Sequence, residues 1–160
     1  VLGEELSGIK TGHMPDHIEQ VAGKYIHPEE CHINASVVTH VDPSFSFYYG
    51  FCDFIATNYN GSLYLGTPIH SFNVHKDGNG ERTIFDPTIS RLNISDKDEV
   101  FHHGRNYMGA MIPREILEDI ISSNPGENGG IVNISGFLKR NVFPSEAETG
   151  RLIESIRRAS

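Results

Sequence analysis

Ile69-His70-Ser71-Phe72-Asn73-Val74, followed after Asp77-Gly78-Asn79-Gly80 by Ile84-Phe85-Asp86-Pro87-Thr88, is the stretch whose reading decides the fold. The first segment alternates apolar and polar side chains, which is the period of a half-buried strand. The Asp-Gly-Asn-Gly run is hairpin chemistry, since Gly and Asn accept the positive φ that tight hairpin turns demand. Two antiparallel strands are therefore predicted, with His70 and Asp86 side by side. An imidazole whose ring and tautomer are held by a carboxylate is the base-and-orienter half of a nucleophilic triad. A nucleophile is needed to complete it.

Working outward, the upstream stretch Pro28-Glu29-Glu30-Cys31-His32-Ile33-Asn34-Ala35-Ser36-Val37-Val38 offers one. Proline suits the first helical turn because its missing N–H would be unpaired there, and acidic residues in that turn favour a helix start. A helix is predicted from about Pro28 to Thr39, stopped by Asp42-Pro43, with Cys31 near its N-terminus. The partial positive charge there lowers a thiol pKa, so Cys31 is the candidate nucleophile. The Val and Thr residues of this run also suit a strand. Cys52 lies inside an aromatic strand with no basic neighbour in sequence, so it reads as buried and inert, and it is the fallback nucleophile.

The chain order Cys31, His70, Asp86 resembles that of transglutaminase-like and other papain-like thiol enzymes. In those families a histidine, then a hydrophobic residue and Asn, precede an Asp-Pro-Thr, as His70-Ser71-Phe72-Asn73 and Asp86-Pro87-Thr88 do here. Small bacterial and phage transglutaminase-like proteins look similar also at Glu30-Cys31-His32-Ile33-Asn34-Ala35, at Tyr48-Tyr49-Gly50-Phe51 and at Tyr107-Met108-Gly109-Ala110-Met111-Ile112-Pro113. The resemblance covers residues 28 to 118, and the His/Asp hairpin is its most specific part. It departs at Phe72, where a Trp is expected, and the chain contains no Trp.

What the resemblance implies is an α+β, papain-like fold, with a nucleophile helix packed on an antiparallel β-sheet. Cys31 would be the nucleophile, His70 the base and Asp86 the orienting group, acting on an amide or acyl carbonyl through a thioacyl intermediate without a cofactor. The activity would be that of an amidase, deamidase, peptidase or transglutaminase, on a protein, peptide or small amide substrate. Asn73 either pairs with backbone or faces the site to orient a ring or bind substrate. Gln20 is either a candidate oxyanion donor or an exposed helix residue. The competing reading is a non-catalytic module that retains the fold and binds a protein or peptide across its aromatic surface.

At 160 residues the chain suits one domain spanning 1 to 160. Its 38% apolar and 21% charged residues argue against disorder. A formal net charge of -8 repels phosphate backbones and anionic lipid, so neither nucleic acid nor membrane is an expected partner. Two cysteines make no disulfide framework, and neither a signal peptide nor a spanning apolar run is recognised. A reducing compartment is expected, either the cytoplasm or, for a delivered effector, a host cytosol. The start at Val1 is compatible with a trimmed upstream segment.

Nine histidines raise the question of a metal, with His27 and Cys31, or His102 and His103, as ligands. There is no Cys-x-x-Cys pair and no His-Glu-x-x-His, so no metal is expected. Gly78-x-Gly80 sits in a polar turn and does not make a phosphate loop.

The remaining elements follow from pattern. Residues 1 to 13 read as an extended or mobile lead-in, Pro15 to Ala22 as a short helix ending near Gly23, and Phe45 to Ile55 as a central strand. A turn over Asn58 to Gly61 leads to a short strand, Ser62 to Leu65. Ser90 to Gly104 has no clean period and reads as a long loop over the sheet. Pro113 to Ile121 reads as a helix, Ile131 to Ile134 as an edge strand, and Ser145 to Arg158 as a C-terminal helix.

Overall fold

The computed structural model describes residues 3–95 and 100–123. In chain order these form β1 (Glu4–Glu5), β2 (Thr11–Gly12), α1 (Asp16–Ala22), a single 3₁₀ turn (Gly23–Tyr25), α2 (Cys31–Val41), β3 (Phe45–Asn58) and β4 (Gly61–Gly66). β5 (Ile69–Lys76), β6 (Arg82–Phe85), α3 (Pro87–Ser95), β7 (Phe101–Ile112) and α4 (Arg114–Ser123) complete them. The class is α+β. The seven strands make one sheet in the order β1-β7-β3-β5-β6-β2, with β4 paired to the far end of β3. All pairings are antiparallel except the two-residue bridge of β2 to β6.

The aromatic strand β3 is the organising element, flanked by β7 on one edge and by β5 and then β4 on the other. Its alternation divides the core. Tyr48 and Cys52 point to one face, where they meet Phe72, Val74, Ile84, Tyr107 and Leu6. Phe45 points to the other, where Phe85 and β3 are covered by Ile18 and Ala22 of α1, Ile26, and Val38 of α2. Burying each of the large side chains Phe47, Tyr49 and Phe51 contributes about 1.5–3 kcal/mol, which is why this run forms the middle of the sheet. Gly50 is obligatory there. A Cβ at that position would overlap the carbonyl oxygen of Met108 on β7.

Three sequence expectations are corrected. Residues 3 to 13 carry two strands that pair with β7 and β6, so this lead-in is part of the sheet. Ser90 to Gly104 is not a long loop, because α3 extends to Ser95 and β7 begins at Phe101. The signal for α3 was local: Asp86 Oδ1 accepts the Ile89 N–H at 3.2 Å as an N-cap does, and Pro87 takes the first helical position. The nucleophile helix starts at Cys31, three residues after Pro28, because residues 28 and 29 form a turn and Glu29 has φ of 68°. The expected strand at 131–134 and helix at 145–158 lie outside the described residues. Among the described residues no helix is long and apolar enough to cross a membrane.

Candidate active site

The hairpin places its two polar residues together. β5 pairs with β6 from Asn73 opposite Phe85 to Lys76 opposite Arg82, so β6 ends before it reaches the level of His70. Asp86, the next residue after β6, turns into the space beside His70, and His70 Nε2 lies 2.7 Å from Asp86 Oδ2. Both side chains are buried. Tyr107 Oη on β7 donates to the same carboxylate oxygen at 2.9 Å. Phe54 meets the imidazole edge to face at 5.1 Å, and Phe72 stacks beside it at 6.3 Å.

Cys31 is the first residue of α2 and is half-buried. Its backbone N–H belongs to the first turn, whose N–H groups have no partner within the helix. α2 is held by amide side chains, through Asn34 to the preceding loop and α3 and through Asn73 to the sheet. Asn34 accepts from the His27 N–H at 3.0 Å and donates to the His27 carbonyl at 2.6 Å and to Thr88 Oγ1 at 2.9 Å. Asn73 donates to the Ala35 carbonyl at 2.9 Å and to Thr39 Oγ1 at 3.1 Å. These bonds set the start of α2, where the Cys31 thiol lies close enough to His70 of β5 and to its own neighbour His32 for both imidazoles to lower its pKa. His70 has β3 on one side only, and the absence of β6 at its level leaves the edge open where α2 begins.

The electrostatics single out Cys31. Burial pushes its thiol up, but hydrogen bonds from His32 and His70, and their charge, outweigh this and bring it down to about 5. Burial likewise pushes the His70 imidazole down, and the Asp86 carboxylate, with the thiolate, overturns this and raises it to about 10. Between those limits the stable pair is a thiolate and an imidazolium. Cys52 behaves oppositely: burial, then the charges of Asp86 and Asp53, push its thiol well above the ordinary range. Tyr107 is also pushed up by burial and by Asp86, so it stays a phenol and can only donate to the carboxylate.

Cys52, His70 and Asp86 nonetheless cluster, with ligand atoms within 4.8 Å of one another. This is the one group of metal-ligand type among the described residues. Its inner contact does not fit a metal: two ligands of a tetrahedral ion at about 2.0–2.1 Å stand some 3.3 Å apart. The 2.7 Å separation of His70 and Asp86 is that of a shared proton.

His70 and Asp86 are in direct contact and Cys31 lies near enough to His70 to feel its charge, whereas two further candidates lie elsewhere. Asn73 faces α2, fully buried, and ties the helix to the sheet, because it is odd-numbered on a strand whose even-numbered His70 and Phe72 face the other way. Gln20 stands exposed on α1, since Ile18 and Ala22 take the inward face and a residue midway between i and i+4 points away from it. Sequence reasoning missed Tyr107 and His32. Tyr107 was visible only as one of several strand aromatics, and nothing local tells which will point at Asp86. His32 had a better signal, being adjacent to the nucleophile in the motif itself.

A cavity of about 460 Å³ lies behind the carboxylate, between β2, α1, α3 and the start of β7, with His13, Glu19, Asp86, Asn93, His102 and Tyr107 in its lining. Cys31 does not line it. Comparison with known proteins gives no assignment: no family model, no curated protein and no solved structure matches the chain.

Proposed function

We propose that this chain is a cysteine-dependent enzyme acting on an amide or acyl carbonyl through a thioacyl intermediate, on a papain-like, transglutaminase-like scaffold. The observation that carries the reading is the buried His70–Asp86 pair at 2.7 Å, with the half-buried Cys31 thiol at the start of α2 near enough for His70 to lower its pKa. The helix-on-sheet arrangement of α2 against β5 supports the scaffold assignment.

In this reading the Cys31 thiolate attacks the carbonyl carbon and a C–S bond forms. The Cys31 backbone N–H, free of intrahelical pairing, donates to the developing oxyanion. Because Asp86 occupies Nε2, His70 presents Nδ1–H to the site and gives that proton to the leaving amine as the C–N bond breaks. The resulting thioester is resolved by a second nucleophile, whose proton returns to His70 as the thiolate departs. Water makes the protein a peptidase, amidase or deamidase, and an amine makes it a transglutaminase. The substrate is a protein, peptide or small amide.

A second reading, a binding module, is favoured by one feature. Tyr59, Leu63 and Leu65 on and beside the edge strand β4 are 85%, 65% and 51% exposed, an apolar edge of the kind that takes partners. The two readings separate on reaction with a simple activated ester, 4-nitrophenyl acetate, followed by peptide mass spectrometry. An enzyme acetylates on Cys31, slowly in His70→Ala and not at all in Cys31→Ala. A folded protein that acquires no acetyl group on Cys31 contradicts the enzyme reading.

A further inference from the structure

β4 and the first half of β5 lie end to end along one edge of β3. β4 pairs with β3 from Asn58 opposite Gly61 to Phe54 opposite Gly66, and β5 takes over where Phe51 faces Ile69. The outer side of this line is open. Among the described residues β4 pairs with no strand other than β3, and β6 covers β5 only from Asn73 onward. The outward backbone groups of Gly61–Gly66 and of residues 69–72 thus have no strand beside them among the described residues, and every residue of β4 before Gly66 is exposed.

A buried carboxylate anchors the link between the two strands. Asp53 of β3 accepts from Thr67 Oγ1 at 2.9 Å, from Tyr64 Oη at 3.2 Å and from Asn106 Nδ2 of β7 at 2.9 Å. β4 and β5 are therefore held in line, and an incoming strand meets an edge already ordered. Natural sheets guard such an edge with charge, above all with Lys. Here residues 61 to 72 include no Asp, Glu, Lys or Arg, and Leu63, Tyr64, Leu65 and Ile69 are exposed. The edge ends at the candidate site: His70 is the second residue of β5, and His32, next to Cys31, hydrogen-bonds Ser71 Oγ at 2.6 Å, which puts the first turn of α2 at that end.

We propose that this edge is the substrate-docking site: an extended, uncharged peptide segment adds to it as a further strand, its backbone pairing with β4 and its reactive amide brought to the start of α2. This rests on the thiol-enzyme reading given above and narrows the substrate from any amide to a peptide in extended conformation. Main-chain hydrogen bonds hold an added strand whatever its sequence, and its alternate side chains provide selection. Their neighbours here are Leu63 and Leu65, so apolar residues at every second position are favoured. The competing occupant is a second copy of the chain, pairing β4 with β4, and the net charge of -8 opposes that association.

The test is fluorescence polarisation of a fluorescein-labelled peptide, Gly-Thr-Val-Ser-Leu-Thr-Val-Ser-Gly amide, titrated with Cys31→Ala protein, which binds without turnover. Saturable binding is expected, lost when the central residues of the peptide are N-methylated and weakened about tenfold or more by adding Leu63→Lys at the exposed edge. With Cys31 present, Leu63→Lys should be acetylated by 4-nitrophenyl acetate at the wild-type rate, because that ester has no chain to dock. No binding at millimolar protein, or binding indifferent to N-methylation or to Leu63→Lys, overturns the docking site, and acetylation of Cys31 in the same protein leaves the enzyme reading standing. A concentration-dependent dimer in sedimentation that Leu63→Lys dissociates gives the edge to a second copy and also overturns the proposal. If wild-type Cys31 is not acetylated, the enzyme reading falls, and the claim that the docked peptide is substrate falls with it.

Discussion

Tyr107 Oη and His70 Nε2 end on the same carboxylate oxygen, Oδ2 of Asp86, at 2.9 and 2.7 Å, while Oδ1 accepts the Ile89 N–H. The carboxylate is thus held from three elements, β5, β7 and α3, and cannot rotate away from the imidazole. Its place also depends on α3 beginning at Pro87, so capping of α3 and support of the His70 imidazole use the same residue.

Tyr107→Phe removes one donor from Asp86 and changes little in volume. The carboxylate keeps its other partners, so we expect loss of about 1.5–3 kcal/mol of stability, as for a hydrogen bond to a charged group. Alkylation of Cys31 should slow by less than it does in His70→Ala. Chemical denaturation and iodoacetamide kinetics measure the two effects. Abolished thiol reactivity in a folded Tyr107→Phe protein would show that the phenol acts directly at the sulfur.

Asp86→Asn cannot satisfy all three donors, because one oxygen becomes an NH₂ group facing either Ile89 N–H or the His70 and Tyr107 donors. It also removes the charge that raises the His70 imidazole. The high-pH limit of Cys31 reactivity should therefore move down from near 10, and activity should fall, but less than in Cys31→Ala, which removes the nucleophile. Equal losses in two folded variants would contradict this order of roles.

Cys52→Ser leaves the nucleophile intact and places a hydroxyl in a fully buried apolar cluster. Near-wild-type acyl transfer is expected, with a stability loss of about 1–3 kcal/mol if the hydroxyl finds no partner. Complete inactivation of the folded variant would make Cys52 the nucleophile instead.

The ion pair also predicts how stability depends on pH. The thiol lies at about 5 in the fold against its ordinary value of 9.0, so its contribution grows as pH rises from 5 and is complete above 9. The imidazole lies at about 10 against 6.5, so its contribution is complete below 6.5 and lost as pH rises through 10. The two slopes cancel between 6.5 and 9. A melting-temperature profile with a plateau there and a fall on both sides is expected, and Cys31→Ala should lack the acidic fall contributed by the thiol. An unchanged acidic limb in that variant would place the stabilising charge elsewhere.

The hairpin was legible because alternation, turn residues and the Asp-Pro pair all act locally, and the register they set brings His70 to Asp86. The Cys31 helix was legible from Pro28, although its first turn was displaced by the positive φ at Glu29. Asn73 was not assignable from sequence alone, since its role depends on which face of β5 receives α2, and that is settled by packing between distant segments. The pairing of Glu4–Glu5 with β7 and of Thr11–Gly12 with β6 was invisible for the same reason. Two-residue strands have no period, and only their partners define them. Tyr107 to Ala110, buried at every position, shows how a strand next to β3 can lack clean alternation when both of its faces are covered.

The central claim is that Cys31 is a thiolate held by His70, and the most direct test is the pH dependence of iodoacetamide labelling, with peptide mass spectrometry to report which cysteine reacts. The account predicts rapid labelling of Cys31 with a midpoint near 5, raised toward that of a free thiol in His70→Ala, while Cys52 stays unlabelled in the native protein. Slow labelling of both cysteines with an ordinary thiol titration, or a Cys31 midpoint indifferent to His70→Ala, would contradict it.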